Sequence, residues 1–286
     1  MPRTPMLIDT HCHLDASEFD VDRDAVVQRA VRAGVGGMVI PAVQQSAFKA
    51  VAQLAAQIPG GAYALGIHPL YVLQARDSDL DDLERAVQVA LLDPRFVAIG
   101  EIGLDFFVPE LCEPKARHIQ EHFYQAQLDI AQRHNLPVIL HVRRSQDALL
   151  KALRRRAVCG GIAHAFNGSL QQATQFVDKG FALGMGGAMT FPRALQIRRL
   201  ATSMPLDALV LETDAPDIPP AWLGRDPGHG SPDGSGRFGR RNEPAELARI
   251  ALQLAQLRSI DIEVLSEATA ASAQRVLPRL AASLSS

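Results

Sequence analysis

From one end of the chain to the other, short β-rich runs alternate with longer stretches whose apolar residues recur every three or four positions. The first kind fits strands of a parallel sheet and the second fits helices that cover it. Strands are predicted over 7–13, 37–43, 62–68, 97–102, 137–142, 161–165, 181–186 and 208–213. Helices are predicted over stretches such as 22–33, 79–91, 117–134 and 170–179, rich in Ala, Gln, Leu and Arg. Eight such units close naturally into an α/β fold of the TIM (β/α)8 barrel type, although a doubly wound open sheet shows a similar alternation. Segment 217–241 follows the eighth strand and carries Pro219, Pro220, Pro227, Pro232 and six glycines. It is predicted to be a long loop over the C-terminal face, where barrel enzymes build their sites. Helix resumes with Pro244 in its first turn and runs to about Arg258, and a last helix over 262–277 is expected as a C-terminal appendix to a single barrel domain spanning 1–286.

Length alone allows either reading, since 286 residues could be one barrel of about 250 residues with additions or two ordinary domains. With 47% hydrophobic and 21% charged residues, the chain can bury a large core. The formal net charge is −2, and only Lys49, Lys115, Lys151 and Lys179 accompany 25 arginines. That balance excludes a generally basic nucleic-acid binder, so a polyanion would have to be gripped locally. Cys12, Cys112 and Cys159 are odd in number and far apart, which indicates neither a disulfide framework nor a thiolate zinc site and suits a reducing cytoplasm. The N-terminus has no basic start followed by a long apolar run, and no apolar run approaches the roughly 18 residues of a membrane span. A cytoplasmic chain with no membrane association and no stable protein partner is expected.

The candidate chemistry gathers at the ends of the predicted strands. In His11-Cys12-His13 the two histidines are two apart on a strand, so both imidazoles project from one face while Cys12 points to the other. Two neutral imidazoles side by side are poorly explained by packing, since each needs its own partner, and well explained by one shared divalent cation. Glu101 closes the fourth strand, His141 the fifth, His164 the sixth and Asp214 the eighth. Each could be a satisfied structural group; six at one mouth point to metal. Three or four ligands suffice for one catalytic zinc, so four histidines and two carboxylates imply two divalent cations (Zn, Mn or Mg) about 4 Å apart. No lysine falls at a strand end to bridge them, which leaves Glu101. In this reading His11 and His13 hold one ion, His141 and His164 the other, Glu101 spans both, and Asp214 ligates the first while accepting a proton from water.

Two divalent ions less two carboxylate charges leave about two positive charges at the mouth, which favours an anionic substrate such as a phosphodiester. Arg143, Arg144 and Arg193 could add phosphate contacts, although isolated arginines are more often solvated. His68, at the end of the third strand before Pro69, could contact substrate or carry a proton, or could simply be bonded within a tight turn. Asp9, Asp15 and Asp105 read as supporting or turn residues. His118-Ile119-Gln120-Glu121-His122 matches an inverted zinc-protease string, but it lies on a predicted outer helix and reads as a solvated face.

Five segments then define a resemblance: Ile8-Asp9-Thr10-His11-Cys12-His13-Leu14-Asp15, Gly66-Ile67-His68-Pro69, Gly100-Glu101-Ile102-Gly103-Leu104-Asp105, Pro137-Val138-Ile139-Leu140-His141 and Leu211-Glu212-Thr213-Asp214-Ala215-Pro216. In order and spacing they resemble the TatD family of metal-dependent deoxyribonucleases, over nearly the whole chain. His141-Val142-Arg143-Arg144-Ser145 and Gly168-Ser169-Leu170-Gln171-Gln172-Ala173 look closest to its YjjV subgroup. The resemblance implies a barrel hydrolase using two divalent metals, with DNA exonucleases among its members. By position it puts first-metal ligands on His11, His13 and Asp214, the bridge on Glu101 and second-metal ligands on His141 and His164. The chain departs at Asn167, where the family often has Ser, and at Ser272-Ala273-Gln274-Arg275. Two alternatives share the fold: a hydrolase of a small ester, amide or lactone, and a noncatalytic nucleic-acid-binding scaffold. Intact ligands speak against the second, because burying so many ionisable groups without metal is costly. Trp222 and Phe238 could stack bases or could be lid aromatics.

Overall fold

A computed structural model describes residues 6–224 and 241–284 of the chain, and its eight strands form one parallel sheet in the order β1 to β8. They are β1 (Leu7–Asp9), β2 (Val35–Pro41), β3 (Gly61–Leu65), β4 (Phe96–Asp105), β5 (Val138–Arg143), β6 (Gly161–His164), β7 (Phe181–Met185) and β8 (Leu209–Leu211). Helices Arg23–Arg32, Phe48–Gln57, Asp77–Ala90, Pro114–Arg133, Gln146–Leu153, Leu170–Val177, Leu195–Ser203 and Leu247–Arg258 follow them in turn, which is the outer ring of a (β/α)8 barrel. Phe238 and His229 lie outside the described residues, as does most of the expected 217–241 loop.

The seam between β8 and β1 closes through backbone and side chain together. Thr10 N donates to Leu211 O at 3.0 Å and Asp214 N to His11 O at 2.9 Å. The Asp9 carboxylate accepts from Thr213 N at 2.9 Å and Thr213 Oγ1 at 2.5 Å, so the first and last strands share one buried anchor. Asp9 therefore supports the fold, in keeping with its reading as a supporting residue.

Inside the barrel Ile8, Val39, Ala62, Val97, Ile139, Ile162, Ala182 and Val210 pack into one buried cluster. Branched residues and alanines share this space because eight strands converge on one narrow axis and leave no room for larger side chains from each. Ala270, Ala273 and Val276 of helix Ile262–Val276, with Leu277 and Leu280, join the same cluster. The last helix, expected from periodicity only as an appendix, thus contributes to the barrel's interior, and its apolar stripe is what the strands cover. Among the described residues no helix is long and apolar enough to cross a membrane.

Four strand ends differ from the pattern-based reading in a way that matters for the site, and one of them is β3, which stops at Leu65 and leaves His68 beyond the ladder. β1 stops at Asp9 rather than at residue 13, and His11 to His13 leave the ladder to bond across the mouth, Cys12 N to Val39 O at 3.1 Å and His13 N to Ala215 O at 2.7 Å. β8 stops at Leu211, two residues before the expected end. β4 runs on past Glu101 to Asp105, with a register shift against β5 between Ile99 and Ile102. Alternation of side chains is broken at that irregularity, which re-aims a single residue, here Glu101.

Candidate metal centre

Glu101, only 1% exposed, sits at the middle of the mouth with its two carboxylate oxygens facing different groups. Oε2 lies 3.0 Å from His11 Nε2 and 3.5 Å from His13 Nε2. Oε1 lies 3.0 Å from His141 Nδ1, 3.3 Å from His68 Nε2 and 3.9 Å from His164 Nε2. His11 Nε2 and His13 Nε2 face each other at 3.2 Å, and each is 3.6 Å from Asp214 Oδ1. Contacts of 3.0 to 3.6 Å among these ligand atoms match the edge of about 3.4 Å expected when bonds of roughly 2.0–2.1 Å radiate tetrahedrally from one ion. Three sets of these side chains have ligand atoms close enough for a cation: His11, His13 and Glu101; His11, His164 and Asp214; and His68, Glu101 and His141. The donor set fits divalent metal by charge and by softness.

All six ligand candidates from the sequence therefore converge, and His68 joins them. Its imidazole is 5% exposed, its Nδ1 accepts from Leu70 N at 3.1 Å, and its ring meets His141 edge to face at 4.4 Å. His68 is thus bonded within the turn at Pro69 and also faces Glu101 in the cluster. His164 stacks on His11 with centroids 3.8 Å apart, and its Nε2 reaches Asp214 Oδ1 at 3.7 Å.

Stacked imidazoles cannot both carry charge, and the carboxylates decide which one does. Burial and the His164 charge push His11 well below its ordinary value. Burial also opposes charge on His164, but Glu212, Asp214 and Glu101 outweigh it and push it up to about 10. Burial opposes charge on His13 too, yet Glu101 and Asp214 raise it to about 9. Asp214 is pushed up to about 7 because burial disfavours its carboxylate more than His164 and His13 favour it. Burial alone would raise Glu101, but the imidazoles of His68 and His11 hold it well below the usual carboxylate range. The centre is a knot of positive and negative groups in which cations would replace protons.

Two supporting carboxylates orient the imidazoles. Asp105 Oδ2 lies 3.0 Å from His141 Nε2, and its Oδ1 accepts from Phe107 N at 2.8 Å and Val108 N at 3.0 Å. Burial opposes its charge, but these bonds hold it down at about 2. Glu212, which the pattern around Asp214 contains without an evident role, is 1% exposed, takes a 2.6 Å bond from Ala165 N, and stands 3.3 Å from His164 Nδ1. A signal for it exists in the sequence: a second carboxylate stands two residues before Asp214, just past the same strand. Gly184 on the neighbouring β7 makes room for it, since a Cβ there would overlap the Glu212 carboxylate. The Glu212→Gln variant keeps the bond from Ala165 N and loses the anion facing His164. Metal affinity is expected to fall about 10- to 100-fold, read by competition with a chromogenic chelator, and an unchanged affinity would refute the orienting role.

The other candidates are placed as follows. Arg143 ends β5 with its side chain 47% exposed and 3.7 Å from Asp105 Oδ2. Arg193 is exposed on the segment leading into helix Leu195–Ser203. Trp222 donates from Nε1 to Glu246 Oε2 at 2.6 Å and carries the Arg249 guanidinium on its ring at 4.3 Å, so it packs against the start of helix Leu247–Arg258. His118, Glu121 and His122 lie on helix Pro114–Arg133 with their side chains toward solvent, and His122 Nε2 is 3.0 Å from Asp77 Oδ1, which confirms the solvated helix face.

A (β/α)8 barrel whose C-terminal mouth gathers imidazoles and carboxylates at ligand spacing defines the class of metal-dependent barrel hydrolases. The family described as "TatD related DNase" matches residues 8–278, and the chain belongs to the TatD family. It is 38% identical to the "Uncharacterized metal-dependent hydrolase YjjV" of Escherichia coli K12, over 91% of this chain and 93% of that one. It is 30% identical to human "Deoxyribonuclease TATDN3" over 96% of this chain and 95% of the relative. The crystal structure of the E. coli YjjV TatD homolog superposes with a TM-score of 0.84 at 37% identity, covering 95% of this chain and 98% of the other.

Proposed function

We propose that this protein is a two-metal phosphodiesterase that removes nucleotides from an end of DNA. In this reading His11, His13 and Asp214 would hold one cation and His141 and His164 the other, with Glu101 as the carboxylate available to both. The observation that carries it is the division of labour at Glu101, whose Oε2 faces the His11–His13 pair and whose Oε1 faces His141, His68 and His164. Bound there, cations such as Zn, Mn or Mg would supply a nucleophile from water at neutral pH and polarise a phosphoryl oxygen. Asp214 takes the proton, being the carboxylate at the edge of the cluster, 8% exposed against 1% for Glu101. His68, Arg143 and Arg193 contact the substrate. DNA is favoured over a small ester by the named activity of the human relative and by the net positive charge that two cations would leave at this mouth. Three free cysteines suit a cytoplasmic setting.

The decisive assay is release of nucleotides from end-labelled single-stranded DNA by metal-reconstituted protein, beside a panel of carboxylic esters, lactones and phosphotriesters. Stepwise shortening from one end is expected. Turnover of a small ester with no action on DNA under any metal would retain the centre and overturn the nuclease.

The protonation of the metal-free centre gives a second expectation. His13 and His164 have raised values of about 9 and about 10, so at pH 7 both hold protons that a cation must displace. Affinity should therefore rise with pH through neutrality and level off near those values. Titration calorimetry in buffers of different ionisation enthalpy should show about two protons released per chain from these imidazoles at pH 7. No proton release would mean that the imidazoles are neutral before metal arrives.

A further inference from the structure

We propose that Phe107, Arg143 and Arg144 form a phosphate clamp at the rim, which reads the phosphate next to the bond being cut and so selects a nucleotide chain over an isolated phosphodiester. The inference rests on the phosphodiester reading above and adds a substrate requirement to it. Phe107 follows β4 and is 44% exposed, an unusual position for a large apolar ring. Its place is not accidental, because Asp105 Oδ1 accepts from both Phe107 N and Val108 N and fixes the loop.

Two guanidinium groups lie on that ring, Arg143 at 3.9 Å and Arg144 at 4.7 Å from its centroid. Consecutive residues of a strand point to opposite faces, so a shared ring is not what β5 would produce by continuing. Arg144 has φ of 56°, in the left-handed region that arginine rarely adopts, and this turn brings its side chain back beside that of Arg143. The ring attracts both cations through its negative face, while their like charges repel. Neither is hydrogen-bonded to a carboxylate among the described residues. Asp105 is the nearest acid, but its oxygens are engaged by His141 and two backbone N–H groups, and Arg143 stays 3.7 Å away. Two guanidinium forks held in place with no carboxylate hydrogen-bonded to them, Arg143 having only the longer ion pair to Asp105, are suited to a phosphate, which accepts from such forks in a planar, bidentate way.

The clamp's distance from the centre sets which phosphate it reads. His141 belongs to the buried cluster, and Arg143 is two residues further along the same strand, a displacement of about 6–7 Å toward solvent. An anion held there is not the one at Glu101 but its neighbour along an extended chain.

The test has a binding arm that needs no metal. Fluorescence anisotropy would measure binding of a labelled single-stranded DNA of about ten nucleotides to metal-free protein. Arg144→Ala is expected to weaken binding about five- to tenfold and to reduce the slope of log affinity against log salt by about 0.7, the release from one phosphate of a single strand. Phe107→Ala changes no charge and is expected to weaken binding at least about threefold, because it frees both forks. Arg154→Ala, at the end of helix Gln146–Leu153 and so at the opposite end of the barrel, serves as the control. In the metal-loaded enzyme, the ratio of kcat/KM for the oligonucleotide to that for bis(4-nitrophenyl) phosphate should fall about tenfold in Arg144→Ala. Binding within about twofold of wild type in both variants, equal losses on the two substrates, or no DNA binding by wild type would each overturn the clamp. Failure of the phosphodiester reading has a different signature: wild-type protein that turns over neither substrate with any metal.

Discussion

Replacing Glu101 with Gln is expected to abolish the centre as a pair, lowering hydrolysis by at least about a thousandfold, or roughly 4 kcal/mol in the barrier. The substitution is nearly isosteric, so the 1% exposed cavity around it keeps its shape. Its chemistry changes on both sides, however. One oxygen becomes an amide N–H2 that faces imidazole nitrogens 3.0 to 3.5 Å away, and the anion that faces His11, His13, His68 and His141 is gone. Bound metal, counted by elemental analysis after dialysis, should drop from the proposed two ions per chain to one or none. In the metal-free protein His13, raised to about 9 in the wild type, should shed its proton more readily than remain an unpaired buried cation, and so should titrate lower by NMR. Full activity with two ions retained would show that the bridge lies elsewhere.

The second large effect is at Asp214, where Asn is the informative replacement. The residue has φ of 57°, a left-handed conformation that Asn tolerates and Ala does not, so Asp214→Asn separates the carboxylate's role from backbone strain. If Asp214 accepts the proton, kcat should fall about 10²- to 10⁴-fold with a much smaller change in KM. His11 and His13 remain with Glu101 around the first position, so some metal should be retained, unlike in the Glu101 variant. Loss confined to KM would instead make Asp214 a substrate contact. Measuring both variants on one oligonucleotide distinguishes a group that assembles the centre from one that works within it.

Much of this arrangement is legible in the amino-acid sequence. Alternation of apolar runs locates all eight strands, because burial on both faces of a parallel sheet demands near-continuous apolar residues. The six ligand candidates are visible because each lies in the C-terminal part of a strand or just beyond it, and parallel strands put all such ends on one rim. His11-Cys12-His13 is legible as a pair from spacing, and Cys12 does turn away, into the core between strands and helices.

What depended on tertiary structure was every relation between segments distant in sequence. The spacing of His11 and His13 on an ideal strand is not the reason their imidazoles meet, since β1 has already ended at Asp9 and the two are positioned by bonds to Val39, Ala215 and Asp214. Glu212 could not be paired with His164, nor Asp105 with His141, until the barrel brought these distant residues within 3.3 Å and 3.0 Å. The last helix looked peripheral because its periodicity says only that one stripe is apolar, and not what will cover it. Arg143 and Arg144 look alike in the sequence and become a pair only where a left-handed turn folds them onto Phe107. Sequence periodicity reports which face of an element avoids water, and this located the strands and the rim, while closure into a barrel rather than an open sheet was decided by the seam between β8 and β1. The partners of each ionisable group are set by distances across the closed sheet, a property of packing that no local pattern encodes.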